Sequence, residues 1–189
     1  EARRVIACDT AGLICVFDLR GRLVWSFKAS GAIRATPALD RASGVLVAAV
    51  FGHRMVGLCL DSGACLFDVD APKPWHAAIG GLASDRNPYA SPVMTAGGSS
   101  VFCSGEQVIL IDAAGSVLWR HSRPAEISAS PVIDDTGRML LVADRSGAAA
   151  LVDLADGRVN AERRLGDAVT ASGAASGGVF ALGARSGAV

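Results

Sequence analysis

The amino-acid sequence predicts an all-β protein built from repeated four-stranded antiparallel sheets. Three observations carry this prediction: a composition rich in turn formers, two short motifs that recur with one period, and short apolar runs between them. Glycine contributes 22 of the 189 residues, and Asp outnumbers Glu by 14 to 4. Because Asp and Gly favour tight turns whereas Glu suits helix interiors, this composition favours strands over helices.

The first motif, here called the opening motif, is a small residue followed by Ser or Thr and then Pro, ahead of an apolar strand. Its copies are Ala35-Thr36-Pro37, Ala90-Ser91-Pro92, Ala129-Ser130-Pro131 and a degenerate Ala171-Ser172-Gly173. They are separated by 55, 39 and 42 residues. A fixed period of this length indicates a repeat architecture.

The second motif is a turn glycine followed four residues later by an aromatic residue. Its copies are Gly21 with Trp25, Gly63 with Phe67, and Gly115 with Trp119, while Gly157 is followed by Ala161. The glycines are separated by 42, 52 and 42 residues, so two independent motifs report the same period. The long interval reflects one insertion between the second and third copies.

Each complete copy reads as four short strands in about 35 residues, bounded by turn residues. Four strands at a period near 42 are typical of β-propeller blades. We predict one propeller segment over residues 1–189, with complete blades at 35–69, 90–120 and 129–159, partial blades at 1–28 and 169–189, and an insertion at 70–89. Apolar runs such as residues 45–50 suit strands buried on both faces.

The motifs Asp18-Leu19-Arg20-Gly21 with Trp25 and Asp112-Ala113-Ala114-Gly115 with Trp119 resemble the PQQ-like (quinoprotein alcohol dehydrogenase-like) repeat family. The resemblance covers nearly the whole chain and implies that Trp25 and Trp119 dock between adjacent blades, with Phe67 in the same position. Full propellers of this family usually have seven or eight blades. The chain therefore reads either as a four-bladed ring closed by its partial copies or as part of a larger propeller, which we favour.

A narrower resemblance involves the last copies, where Asp156-Gly157-Arg158-Val159 lacks the following Trp. These copies are similar to the C-terminal propeller of beta-alanine-activating (acyl-adenylating) enzymes. That resemblance implies a parent enzyme whose adenylation and carrier domains lie outside this chain.

No catalytic constellation is visible in the sequence. Quinone-dependent dehydrogenases of the resembled family hold their cofactor with calcium, a catalytic Asp and often a disulfide between adjacent cysteines, and no Cys-Cys pair occurs here. Asx-turn hydrogen bonding accounts for the aspartates at turn positions, namely Asp9, Asp112, Asp134 and Asp144. We read His53, His76 and His121 as surface or interface residues. We therefore predict no catalytic residue, no metal and no cofactor, with part of a quinone-dependent dehydrogenase as the alternative.

Charge and cysteine content restrict the partners and the compartment. The formal net charge is zero without a basic block, which argues against nucleic acid, and the longest apolar run, residues 45–51, is too short for membrane insertion. Five cysteines without C-x-x-C spacing lie in apolar runs, which favours reduced thiols and a reducing compartment such as the cytoplasm. An envelope-assembly propeller would instead need a signal peptide or a lipid-anchored Cys, and a cleaved leader leaves no trace.

The insertion is the one segment that the repeat does not require. It holds three of the seven prolines together with Trp75, His76 and Tyr89. Loops on a rigid scaffold often carry recognition residues, and Trp is frequent at interface centres. We predict that Trp75, His76 and Tyr89 bind a protein partner or a neighbouring domain of the same parent; the alternative is that Trp75 covers a blade edge. The sequence thus predicts a non-catalytic interaction scaffold.

Overall fold

The computed structural model describes residues 3–52, 54–70 and 90–187, and all regular elements in these ranges are β-strands. The first blade comprises β1 (Arg4–Cys8), β2 (Leu13–Asp18) and β3 (Leu23–Lys28). The second comprises β4 (Ala38–Asp40), β5 (Val45–Val50), β6 (Arg54–Cys59) and β7 (Cys65–Asp70). The third comprises β8 (Val93–Met94), β9 (Ser100–Ser104), β10 (Gln107–Ile111) and β11 (Val117–Ser122). The fourth comprises β12 (Val132–Ile133), β13 (Met139–Ala143), β14 (Ala148–Asp153) and β15 (Val159–Arg164), and β16 (Ala174–Ser176) and β17 (Val179–Ala181) follow.

Every sheet is antiparallel, and its strands lie side by side in chain order. The second, third and fourth blades have four strands each, which confirms the predicted fold class. The first sheet has three strands and the last has two. The sequence pattern ends the fourth blade near residue 159, whereas β15 continues to Arg164 with every residue exposed, so the apolar pattern gives no sign of it.

The hydrophobic core lies between the blades. In β5, Leu46, Ala48 and Val50 pack against the first blade, while the alternate residues Val45, Val47 and Ala49 pack against the third. Side chains of a strand point alternately to the two faces of its sheet, so a strand covered on both faces must be apolar throughout. This burial explains the continuous apolar run that the sequence shows.

The opening motif links the innermost strands of successive blades. The backbone N–H of Thr36 donates to the Ser91 hydroxyl (3.0 Å), that of Ser91 to the Ser130 hydroxyl (2.9 Å), and that of Ser130 to the Ser172 hydroxyl (3.1 Å). We call this series the hydroxyl ladder. It explains the Ser or Thr of the motif, because the hydroxyl accepts a backbone hydrogen bond from the preceding blade.

The blades have two distinct ends. In the three-stranded first blade, β1 corresponds to the second strand of the complete blades. At one end, the segment that leaves a blade bonds the turn between that blade's second and third strands: Ala29 N–H donates to the Gly12 carbonyl (2.8 Å), and Leu165 N–H to the Gly147 carbonyl (2.9 Å). We call this end the connection face. The turns that contain Gly21, Gly63, Gly115 and Gly157 join third to fourth strands, and they lie at the opposite end.

Candidate functional site

The docking aromatics lie between blades. Trp25 is 9% exposed, and its indole N–H donates to the Leu60 carbonyl, just beyond the third strand of the next blade (3.0 Å). Trp119 makes the same contact with the Leu154 carbonyl of its next blade (2.9 Å). Trp25 is thus buried and Trp119 partly buried, and each indole satisfies its only polar hydrogen, as Trp between blades usually requires.

The turn glycines receive these aromatics from the preceding blade. Gly63 has φ of +73°, and a Cβ built there would lie 2.7 Å from the Trp25 ring. Gly157 has φ of +75°, and its Cβ would lie 2.8 Å from the Trp119 ring. Phe67 packs against Gly115 in the same way and is 7% exposed. The glycine and aromatic of one motif therefore belong to two different interfaces, a relation that their spacing along the chain does not show.

The fourth blade lacks this aromatic. Ala161 pairs with Leu151 in the register that Trp119 has with Leu110 in the third blade. An open groove of about 470 Å³ lies between the fourth blade and the last sheet. Its lining is mostly apolar and includes Leu141, Ala149, Leu151, Ala161, Phe180 and Leu182.

The proposed recognition residues Trp75, His76 and Tyr89 lie outside the described residues, as does His53. The segments that flank the insertion are described. Arg54 pairs with Asp68 (2.8 Å) and with Asp70, the last residue of β7 (3.1 Å). On the other side, Ala90 is 1% exposed and is followed by Ser91 of the hydroxyl ladder.

A buried charged cluster lies on the connection face between the third and fourth blades. Arg123 is 5% exposed, and its guanidinium pairs with the fully buried Asp144 (3.2 Å) and with Glu162 (3.4 Å). Burial and then the charge of Arg123 lower the pKa of His121, while Glu162 opposes them. Three buried polar atoms lack a hydrogen-bond partner within the described part of the chain: His121 Nε2, Arg123 Nη2 and Ser128 Oγ.

The sequence pattern does not predict this cluster. It predicts Asp144 as a turn residue, and the carboxylate does accept the backbone N–H of Ser146 (2.9 Å). Its second role depends on Arg123, which comes from the preceding blade. Arg123, Ala29 and Leu165 occupy equivalent positions in their connections, because the backbone N–H of each bonds the turn between the second and third strands of its own blade. The signal in the sequence is that, of these three residues, Arg123 alone is charged.

The remaining aspartates proposed as turn residues have that role. Asp9 accepts the N–H of Leu13 (2.8 Å), Asp112 that of Ser116 (2.8 Å), and Asp134 that of Arg138 (2.9 Å). In residues 3–52, 54–70 and 90–187, no group of three or more His, Cys, Asp or Glu side chains is placed to hold a metal ion. No helix of the described ranges is long and apolar enough to cross a membrane.

All five cysteines are free thiols. Burial raises the pKa of Cys103 to about 12, and burial with the charge of Asp9 raises that of Cys8 to about 11. Cys59 differs, because hydrogen bonds from Ser62 lower its pKa at an accessible position. The thiolate is the reactive form of cysteine; the hydrogen bonds from Ser62 favour it at Cys59, whereas burial disfavours it at Cys8 and Cys103.

Four-stranded blades, docked aromatics and the hydroxyl ladder together define the class of protein, a β-propeller of PQQ-like repeats. The family model described as "Outer membrane protein assembly factor BamB" matches residues 10–189, and the chain belongs to that family. No curated protein sequence matches the chain.

Solved structures share the fold at low sequence identity. BamB from Moraxella catarrhalis is 16% identical, with a TM-score of 0.69 over 87% of this chain and 47% of that one. The computationally designed Ika8 protein is 15% identical, with a TM-score of 0.78 over 100% of this chain and 54% of that one. The chain thus spans about half the length of either structure. Neither these structures nor the family match supports the resemblance to beta-alanine-activating enzymes.

Proposed function

We propose that the chain is a rigid protein-binding scaffold whose recognition element is the part of the 70–89 insertion that follows Asp70. The observation that carries this proposal is the anchoring of both flanks. Asp70 is held by Arg54, while Ala90 is buried and leads into the hydroxyl ladder. The insertion therefore leaves and re-enters the scaffold at fixed points.

Fixed flanks matter because ordering a loop against a partner costs conformational entropy. The insertion contains Pro72, Pro74 and Pro88, and proline fixes φ, so fewer backbone conformations are lost on binding. Trp75 and Tyr89 supply large amphipathic rings of the kind enriched at interface centres. These rings would fit a partner protein, or a neighbouring domain, that has an apolar pocket rimmed by hydrogen-bond acceptors.

The family description supports the same kind of function, because an assembly factor acts by holding other proteins. We extend this to the chain as a proposal: its partner is a component of a protein-assembly system. The second and third blades use both sheet faces in packing against their neighbours, so their loops remain as surface available to such a partner.

The test compares Trp75→Ala with Leu118→Ala in the full-length parent. Leu118 is 54% exposed on an outer strand and serves as the matched control for loss of an apolar side chain. We expect Trp75→Ala to lose partner capture while its urea midpoint stays unchanged, and Leu118→Ala to keep both. If Trp75→Ala instead lowers the midpoint and keeps the partner, the segment has a packing role and the proposal is wrong.

We also propose a reducing compartment, because all five cysteines are free. The family description favours the alternative, the bacterial envelope. Rapid alkylation of protein from cells under denaturing conditions, followed by mass analysis, separates the two compartments. A reducing compartment predicts five modified thiols, whereas an oxidising one predicts fewer.

A further inference from the structure

Two of the blade interfaces have the same geometry but different side chains. The contact of the first blade with the second is called the first interface here, and that of the third blade with the fourth the third interface. Equivalent residues of the outer strand and the segment after it are Trp25, Phe27 and Ala29 at the first interface and Trp119, His121 and Arg123 at the third. The third interface thus holds ionisable groups at two positions where the first interface is apolar.

The acidic residue that faces these positions is also bound differently at the two interfaces. Glu162 of β15 and Asp68 of β7 pair with equivalent residues of their neighbouring strands, on the sheet face turned toward the preceding blade. Asp68 is paired with Arg54 of its own sheet (2.8 Å), whereas Glu162 is paired with Arg123 of the preceding blade (3.4 Å). The ion pair of Glu162 therefore crosses the third interface, and breaking it removes a contact between two blades.

His121 lies beside this ion pair. Its Nε2 atom is buried and has no hydrogen-bond partner in the described part of the chain. Glu162 is the carboxylate whose charge acts on His121, and it favours the protonated imidazole, while burial and Arg123 oppose protonation. Because a protonated imidazole donates from both ring nitrogens, Nε2 then requires an acceptor. The acceptor that faces it is the Glu162 carboxylate, which already accepts from Arg123.

Other ionisable groups lie on the elements packed around His121. They are Cys103 of β9, Glu106 in the turn after β9, Asp144 in the turn after β13 and Arg164 at the end of β15. Burial raises the pKa of Cys103 to about 12, so its thiol stays neutral. Asp144 is bound by Arg123 Nε (3.2 Å), and Arg164 is exposed. Imidazole is the side chain whose charge ordinarily changes in mildly acid solution, so His121 is the member of this group that responds there.

We propose that proton binding to His121 opens the third interface at the connection face. The His121 Nε2–H then donates to the Glu162 carboxylate, and Arg123 loses that acceptor. Arg123 is 5% exposed, so its freed Nη1 joins Nη2, which already lacks a partner within the described residues. Buried donors without acceptors, next to a second cation shielded from water, cost free energy. That cost ends when the connection moves outward and Arg123 reaches water.

The opposite end of the third interface responds differently. There the Trp119 ring packs on Gly157, and this contact contains no ionisable side chain. It therefore stays closed, and the opening is limited to the connection face.

The direction of the pH dependence follows from the burial of His121. Its pKa is lowered in the closed interface, whereas imidazole in water titrates near about pH 6.5. The open form therefore binds the proton more tightly than the closed form. The third interface has its full stability above about pH 6.5 and loses stability as the pH falls below that value.

Two matched backbone hydrogen bonds report the opening. The Arg145 N–H donates to the Glu126 carbonyl at the third interface (2.9 Å), and the Phe51 N–H donates to the Ala32 carbonyl at the first (2.9 Å). The experiment is amide hydrogen exchange of the parent protein at about pH 7.5 and about pH 5.5, corrected for the intrinsic pH dependence of exchange. Protection of the Arg145 amide should fall by up to about tenfold, the most that one imidazole contributes over one pH unit below about 6.5. Protection of the Phe51 amide should not change.

Replacing His121 assigns the effect to this residue. His121→Phe introduces the residue that the first blade has at the equivalent position, and it should keep the protection of Arg145 while removing its pH dependence. The variant retains His53 and His76, so it separates their titration from that of His121. His121→Gln gives the same comparison with a polar neutral side chain if Phe is not accommodated.

Replacing Glu162 tests the acceptor. In Glu162→Gln the side chain no longer favours the protonated imidazole, so the His121 ring signals in an NMR titration should shift to a lower midpoint than in the wild type. An unchanged midpoint would overturn the proposed exchange of partners. The proposal is also overturned by equal loss of protection at Arg145 and Phe51, by no loss at Arg145, or by a loss that persists in His121→Phe and His121→Gln.

Discussion

The contact between Trp119 and Gly157 allows a quantitative test of how the blades are joined. Trp119→Ala removes a partly buried ring that packs on the core between the third and fourth blades, together with its hydrogen bond to Leu154. Large-to-small changes of this kind cost about 3–5 kcal/mol of unfolding free energy. Gly157→Ala has two separate costs: the left-handed conformation, about 1–2 kcal/mol for a residue with a Cβ, and overpacking against the Trp119 ring, about 1–3 kcal/mol.

The double variant separates the two costs. Without the Trp119 ring, the Cβ at position 157 has space, so only the conformational cost remains. We therefore expect Trp119→Ala/Gly157→Ala to be more stable than the sum of the single changes by about 1–3 kcal/mol. Gly21→Ala is the matched control, because Gly21 occupies the same turn with φ of +78° and nothing near its Cβ. It should cost about 1–2 kcal/mol and show no coupling to Trp119→Ala.

The assay is urea unfolding monitored by far-UV circular dichroism, at a protein concentration where each variant has a single oligomeric state. Fluorescence is unsuitable because one variant removes a Trp. Additivity of the two changes within about 0.5 kcal/mol would refute the aromatic-on-glycine contact as the blade joint. Equal costs for Gly21→Ala and Gly157→Ala would refute it as well.

Three further predictions concern other contacts between blades. The pKa of His121 is lowered in the folded chain, so the unfolded chain binds the proton more readily. The unfolding free energy should therefore fall as pH drops below about 6.5. His121→Gln should reduce this pH dependence, measured by urea titrations at several pH values. Ser91→Ala removes the acceptor of the exposed Thr36 N–H and should cost about 0.5–1.5 kcal/mol by chemical denaturation, with Ser91→Thr restoring most of it. Arg123→Leu leaves Asp144 buried without its cation and should cost about 3–5 kcal/mol at neutral pH by the same assay, whereas a change below 1 kcal/mol would show the pair to be solvated.

The sequence predicted what local patterns determine. Turn glycines, apolar runs and the opening motif repeat along the chain, so their period indicated four strands per blade and a propeller. The burial of β5 on both faces also follows from six consecutive apolar residues. These features depend on neighbours within one repeat, which a sequence displays directly.

The remaining contacts join residues from different blades. The partner of Trp25 is Gly63 of the next blade, not Gly21 of its own motif. Arg123 reaches Asp144 and Glu162, and no repeat motif relates the three positions. Such pairs depend on the packing angle between blades, which single-sequence patterns do not contain.

The most direct test of the scaffold proposal places a photo-crosslinking amino acid at position 75 of the parent protein in its native cells. The same probe at position 118, on an exposed outer strand, is the control. The scaffold proposal predicts that the probe at 75 captures one defined protein, or a neighbouring domain of the parent, and that the probe at 118 captures neither. If position 75 gives no cross-link while the protein is folded and abundant, the insertion is not the recognition element.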